Sequence, residues 1–201
     1  MAADYGLLTE NLRRFYDFTD KVVLYVGAGG RQLLDSSFKT TKLIAIDQNA
    51  ELLQELKTKV AAQGMSNVEV VAARFEDVRV RGDVVYFEFC LHEMENPEKA
   101  LQQAQTLAPD TVVYDHLPDS EWIFYGAEED KVRLSTAVME RFGIRRREEF
   151  CTDQRFQNHA ELLAKVSGQG PVAIERIQRF ADATNIVIPM RYGLALLWES
   201  R

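Results

Sequence analysis

Residues 22–26 read VVLYV and run directly into GAGGRQ at 27–32, with LIAID following at 43–47. A short Val-rich apolar run has the length and composition of a buried strand. Glycines just after it allow a tight turn and a close backbone approach to a ligand. A helix N-terminus following them would direct its N–H groups at that ligand. Asp47 lies 20 residues beyond Gly27. At the end of a second strand, such a carboxylate can accept both hydroxyls of a ribose. Strand, glycines, strand and acid in this order predict a site for an adenosine-containing ligand, without saying which one.

Outward from this centre the pattern continues. VEVVA (68–72), DVVYFEFC (83–90) and TVVY (111–114), which closes on Asp115, are further strand candidates. Between the second and third strands, Leu52, Leu56 and Val60 share a helical spacing, with Asn49 as N-cap and Gly64 as stop. Between the fourth and fifth, Pro97 opens a helix with Leu101, Ala104 and Leu107 on one side. Strands alternating with helices predict a parallel sheet covered on both faces. Residues 4–19 read as an amphipathic helix and 127–142 as another. IRRREEFC (144–151) reads as an edge strand whose arginines are solvated. The closing NIVIPMRYGLALLW reads as a strand interrupted at Pro189 and Gly193.

The chain has 201 residues, 46% hydrophobic and 27% charged, and a formal net charge of −7. These values point to one globular domain over 1–201 and weigh against disorder. The acidic balance opposes nucleic-acid binding. No apolar run reaches the ~20 residues of a membrane span, and the first residues lack a signal peptide's apolar stretch, so a cytoplasmic location is expected. Cys90 and Cys151 are the only cysteines and do not form a disulfide framework.

The ordered segments resemble the class I S-adenosylmethionine-dependent methyltransferases. VLYVGAGGR sits where that family has its glycine loop, and LIAIDQNAELLQELK resembles its second-strand segment. DVVYFEFCLHEMENPEKAL is similar to a pattern of the small-molecule branch that includes quinone-biosynthesis enzymes. The resemblance implies a Rossmann-like, doubly wound α/β fold with seven strands in the order 3-2-1-4-5-7-6, the last antiparallel. It also implies S-adenosylmethionine as cofactor, S-adenosylhomocysteine as product and a small-molecule acceptor. Gly27, Ala28 and Gly29 would then shape the methionine end, Asp47 and Gln48 the ribose side, and Arg74 and Phe75 the adenine side. Phe75 would act by stacking or through its backbone N–H, with Glu76 or Asp77 accepting from the exocyclic amine. The sequence departs from the family at three positions. Tyr25 replaces the acid before the loop, Arg31 the third glycine, and Arg74 the acid after the third strand. Glu88, inside the fourth strand, is the candidate to pair with the cofactor's ammonium, or else with a buried arginine.

His92 and His116, just past two strand ends, are the candidates for contact with the acceptor, alongside packing roles. The spacing of His92, Glu93, Asp115 and His116 matches no compact metal-ligand motif, so no metal is expected. Residues 114–130 carry Tyr114, Trp122, Phe124 and Tyr125 beside six acidic residues, and are expected to wall the substrate side. Residues 1–20, with Tyr5 and Tyr16, are expected to form a helical lid. Two other readings stay open: a cofactor-binding protein without catalysis, and a nicotinamide-dependent oxidoreductase.

Overall fold

The computed structural model describes residues 4–28, 32–34 and 38–197. Its elements are α1 (Tyr5–Phe15), β1 (Val22–Val26), β2 (Lys42–Asp47), α2 (Ala50–Ala62), β3 (Val68–Ala72), β4 (Val84–Glu88) and α3 (Pro97–Leu107), followed by β5 (Asp110–His116), α4 (Glu121–Tyr125), α5 (Glu129–Phe142), β6 (Ile144–Asn158), α6 (His159–Val166), α7 (Pro171–Arg176) and β7 (Thr184–Leu197). The strands form one sheet in the order β3-β2-β1-β4-β5-β7-β6. The first five run parallel, and β7 runs antiparallel to both β5 and β6. This is the predicted architecture.

The period-2 alternation of a strand divides the core between the two faces of the sheet. Val23 and Tyr25 face one side, with Leu8, Leu12 and Phe15 of α1 and Leu53 and Leu56 of α2. Leu24 and Val26 face the other, with Leu101 and Ala104 of α3 and Val138 of α5. Both faces of β1 are therefore covered, which is why VVLYV is apolar without a break. On α2 the buried set is Leu53, Leu56 and Val60. Leu52, one position away, turns outward.

Helix α1 docks through polar contacts as well as packing. Asn11 Nδ2 donates to the Tyr192 hydroxyl at 2.9 Å, and the Tyr114 hydroxyl donates to the Leu8 carbonyl at 3.2 Å. Tyr16 turns away from the strand ends and donates to Asp110 at 2.6 Å. β6 is the edge strand, and Arg146 reaches back to the Phe15 carbonyl at 3.0 Å.

Two expectations need correction, and one boundary moves. The glycine loop is followed, among the described residues, by a 3-10 turn at Gln32–Leu34 rather than an α-helix. The helix expected over 127–142 is present as α5 and starts two residues later, at Glu129, after the separate short α4. β7 is continuous through Pro189 and Gly193. β5 pairs only with 192–197, whereas β6 pairs along the whole strand. Residues 184–191 are thus an edge on one side, where a residue without N–H is tolerated. Gly193 lies between two strands, and a Cβ there would sit 3.1 Å from Leu117 Cδ2. No helix of the described residues is long and apolar enough to cross a membrane.

Replacing Gly193 by Val should overpack this junction and lower stability by about 1–3 kcal/mol. Urea unfolding measures it, and an unchanged midpoint would show that Leu117 yields freely.

Candidate functional site

The carboxyl ends of β1, β2, β4 and β5 open onto two cavities of about 370 and 380 Å³. Both are lined by Gly27, Asp47 and Cys90, so they adjoin at the end of β1. The crevice beyond the strand ends is where open α/β sheets bind ligands. The first cavity lies over β2 and β3, with Ile46, Ala73 and Met94 as apolar walls. The second lies beyond β4 and β5, under Tyr5, Leu8, Trp122 and Met190.

Gly27 has φ +74°. A Cβ on it would come within 2.7 Å of both Cys90 Cβ and Sγ, and 2.9 Å of the Glu88 carbonyl. The glycine is therefore demanded first by the β1–β4 contact, and only then by access to a ligand. Asp47 Oδ1 accepts the Asn49 N–H at 2.9 Å, which steadies the carboxylate at the junction of the cavities. Gln48, Arg74 and Phe75 line the first cavity. Ala28 is buried in the core, and Gly29 and Arg31 lie outside the described residues.

The adenine side differs in detail from expectation. The Phe75 ring is 3% exposed and packs edge-on against Phe87, centroids 5.2 Å apart. Such a ring cannot also stack on a ligand in the cavity, so only its backbone and edge remain for one. Arg74 is exposed and donates to Glu95 at 2.9 Å. Glu76 lines the first cavity, and Asp77 is not among its lining residues.

Glu88 is buried at the end of β4 and lines the second cavity. The Tyr25 hydroxyl donates to its Oε2. Tyr25 thus serves the acid one strand over. The Tyr25 and Tyr86 rings stack alongside, centroids 5.4 Å apart. Cys90 Sγ donates to the Val26 carbonyl at 3.4 Å, and burial pushes its thiol well up. It stays protonated. Cys151 sits apart, exposed on β6.

The two histidines have opposite environments. His92 Nδ1 lies 2.5 Å from Asp115 Oδ1, and its backbone N–H donates to Oδ2 at 3.1 Å. Burial opposes the charged ring, but the Asp115 carboxylate outweighs it and His92 is pushed up to about 10. His116 is pulled down to about 4, chiefly by burial. One ring is held as imidazolium and the other as neutral imidazole. Only His116 lines the second cavity. Burial lifts Glu128 to about 7.

Of the aromatics in 114–130, Trp122 alone reaches the cavity. Tyr114 is spent on α1, Phe124 is exposed against Arg176, and Tyr125 bonds Glu121 and Arg179. Five residues lining the second cavity escaped the sequence reading: Leu52, Phe89, Gln154, Lys165 and Met190. The last three come from β6, α6 and β7, far along the chain, and carry no local motif. Gln154 is buried, and its Oε1 has no hydrogen-bond partner.

Gly27→Ala should cost about 1–3 kcal/mol, because a positive φ and the Cys90 contact both resist a side chain. Thermal unfolding measures this, and an unshifted midpoint would mean that the β1–β4 contact relaxes.

Residues 24–112 match the family model described as "Methyltransferase domain". No curated protein matches the sequence. Solved structures share the fold at low identity. The YcgJ protein of Bacillus subtilis superposes with a TM-score of 0.71 at 14% identity, covering 98% of each chain. A SAM-dependent methyltransferase from Aquifex aeolicus gives 0.62 at 19% identity, over 98% of this chain and 90% of that one. The [4+2]-cyclase SpnF gives 0.62 at 15% identity, over 96% and 80%. Residues 24–112 are thus similar to a methyltransferase domain, and the whole chain shares its fold with these solved structures.

Proposed function

We propose that this chain transfers a methyl group from S-adenosylmethionine to a small molecule held in the second cavity. The observation that carries the reading is the pair of adjoining cavities. One suits a nucleoside, the other is bounded by a carboxylate, an imidazole and an indole, and Gly27, Asp47 and Cys90 stand between them. A volume near 380 Å³ lies within the usual range for small-molecule sites.

The residues present fit the cofactor. Asp47 stands ready for the ribose hydroxyls, with one oxygen already anchored by Asn49. Ile46, Ala73 and Met94 offer apolar contact for the base. Glu88, steadied by Tyr25, brings a carboxylate to the side where the ammonium of the methionine end would lie. Bound there, the cofactor supplies an electrophilic methyl on a sulfonium.

The protein's part is to align and desolvate the acceptor. Alignment alone can lower a barrier by about 7–11 kcal/mol. Tyr5, Leu8, Trp122 and Met190 exclude water from the acceptor space. His116, kept neutral, and Gln154, with its Oε1 unsatisfied, offer hydrogen bonds to an acceptor hydroxyl or amine. His92 does not line the cavity. We assign it a positioning role, through its bond to Asp115 beside His116.

Calorimetric titration with S-adenosylhomocysteine, with NAD as control, tests the reading. Micromolar binding of the former and none of the latter is the expected result, and the reverse would select an oxidoreductase. Asp47→Ala should weaken that binding roughly 10- to 100-fold, since a hydrogen bond to a charged group contributes about 1.5–3 kcal/mol. Unchanged affinity would remove Asp47 from the site. With an acceptor identified by screening, His116→Ala should lower kcat/KM while leaving S-adenosylhomocysteine affinity intact. A second reading is cofactor binding without methyl transfer, since the same fold also carries a [4+2]-cyclase. Binding with no methylated product across a broad acceptor panel would favour it.

A further inference from the structure

Behind the wall that His116 presents to the second cavity lies a cluster whose chemistry methyl transfer does not need. The His92 and His116 rings have centroids 5.4 Å apart. Glu128, from the turn between α4 and α5, points its carboxylate at them, with Oε2 3.9 Å from His92 Nε2. All three residues are buried, and one donor atom from each lies within 4.8 Å of the others.

Three further features point to a ligand there. Asp115 holds His92 through Nδ1 and so aims Nε2 toward two acids, Glu93 with Oε1 at 3.5 Å and Glu128 with Oε2 at 3.9 Å. A carboxylate on the second nitrogen is the usual support of a metal-binding imidazole. His116 Nδ1 is buried with no hydrogen-bond partner. Glu128 occupies the N-cap of α5 yet makes no capping bond. Its inward course is accommodated by Gly126, where a Cβ would lie 3.1 Å from Glu128 Oε2, and by Ala127 at φ +55°.

We propose that His92 Nε2, His116 Nδ1 and Glu128 bind one divalent transition-metal ion, with Asp115 as the outer support of His92. Two buried carboxylates, Asp115 and Glu128, balance a divalent charge with both imidazoles neutral, the His92 Nε2 proton passing to solvent. The remaining acid, Glu93, is part-exposed and pairs through Oε2 with Lys131 at 2.8 Å, and its Oε1, 3.5 Å from His92 Nε2, gives up that contact when the ion binds. Two imidazole nitrogens and one carboxylate favour zinc, cobalt(II) or iron(II) over magnesium or calcium. Zinc bonds of about 2.0–2.2 Å put donors roughly 3.3–3.5 Å apart. The side chains therefore close by about 0.5–1.5 Å on binding. Three protein ligands leave one position for water or, since His116 lines the second cavity, for an acceptor atom. Metal binding here does not depend on the methyltransferase reading.

The test is titration of the chelator-treated full chain with Zn²⁺ by calorimetry and with Co²⁺ by visible absorption. The expected result is uptake of one equivalent, a tetrahedral Co²⁺ spectrum and a thermal midpoint raised by Zn²⁺. Glu128→Gln should weaken uptake at least ~10- to 100-fold, the loss typical of removing even an outer-shell partner, and should abolish the thermal shift. His116→Ala should do the same. Both variants should keep the far-UV circular dichroism and cooperative urea unfolding of the metal-free parent, which reports the fold separately. Absence of saturable uptake by the unmodified chain overturns the proposal. So does uptake that neither substitution alters, which would place the ion elsewhere.

Discussion

The ends of β1 and β4 approach so closely that residue 27 has no room for a side chain. Gly27 packs on Cys90 and on the Glu88 carbonyl. Its positive φ turns the chain away at the point where both cavities begin. Nearly everything about the site follows from that contact. It sets Cys90 as the divider, brings Glu88 within reach of the Tyr25 hydroxyl, and leaves Asp47 of the next strand facing the gap.

Electrostatics then separates groups that share one neighbourhood. Asp115 bonds both nitrogens of His92 that it can reach, side chain and backbone, and His92 holds its carboxyl below the usual carboxylate range despite burial. It also accepts the His116 backbone N–H at 2.9 Å. A buried carboxylate with three such partners is a satisfied group. The His116 ring receives no comparable bond and stays neutral. Asp115 at the end of β5 thereby holds one imidazole charged, while burial keeps the other neutral.

Much of the fold was legible in the chain. Continuous apolar runs mark strands buried on both faces, and Asn49, Gly64 and Pro97 mark helix ends where the structure puts them. Departures came where tertiary context overrides local preference. Pro189 reads as a strand breaker, but half of β7 has a neighbour on only one side. Leu52 fits the helical stripe, yet Leu53 takes the core position and Leu52 borders a cavity. Phe75 reads as a stacking ring or a backbone donor, and its ring packs edge-on against Phe87.

By itself the sequence determined the order of strands and helices, the glycine turn and the acid after the second strand. These depend on periodicity and on residues near one another in the chain. Which side chains meet was decided only by the sheet. Tyr25 and Glu88 are 63 residues apart, His92 and Asp115 are 23 apart, and Gln154 and Met190 are 36 apart. Strand register places such pairs within ångströms. The energy of a buried hydrogen bond or ion pair depends on that distance and on the exclusion of water, and neither is a property of residues as they follow one another along a chain.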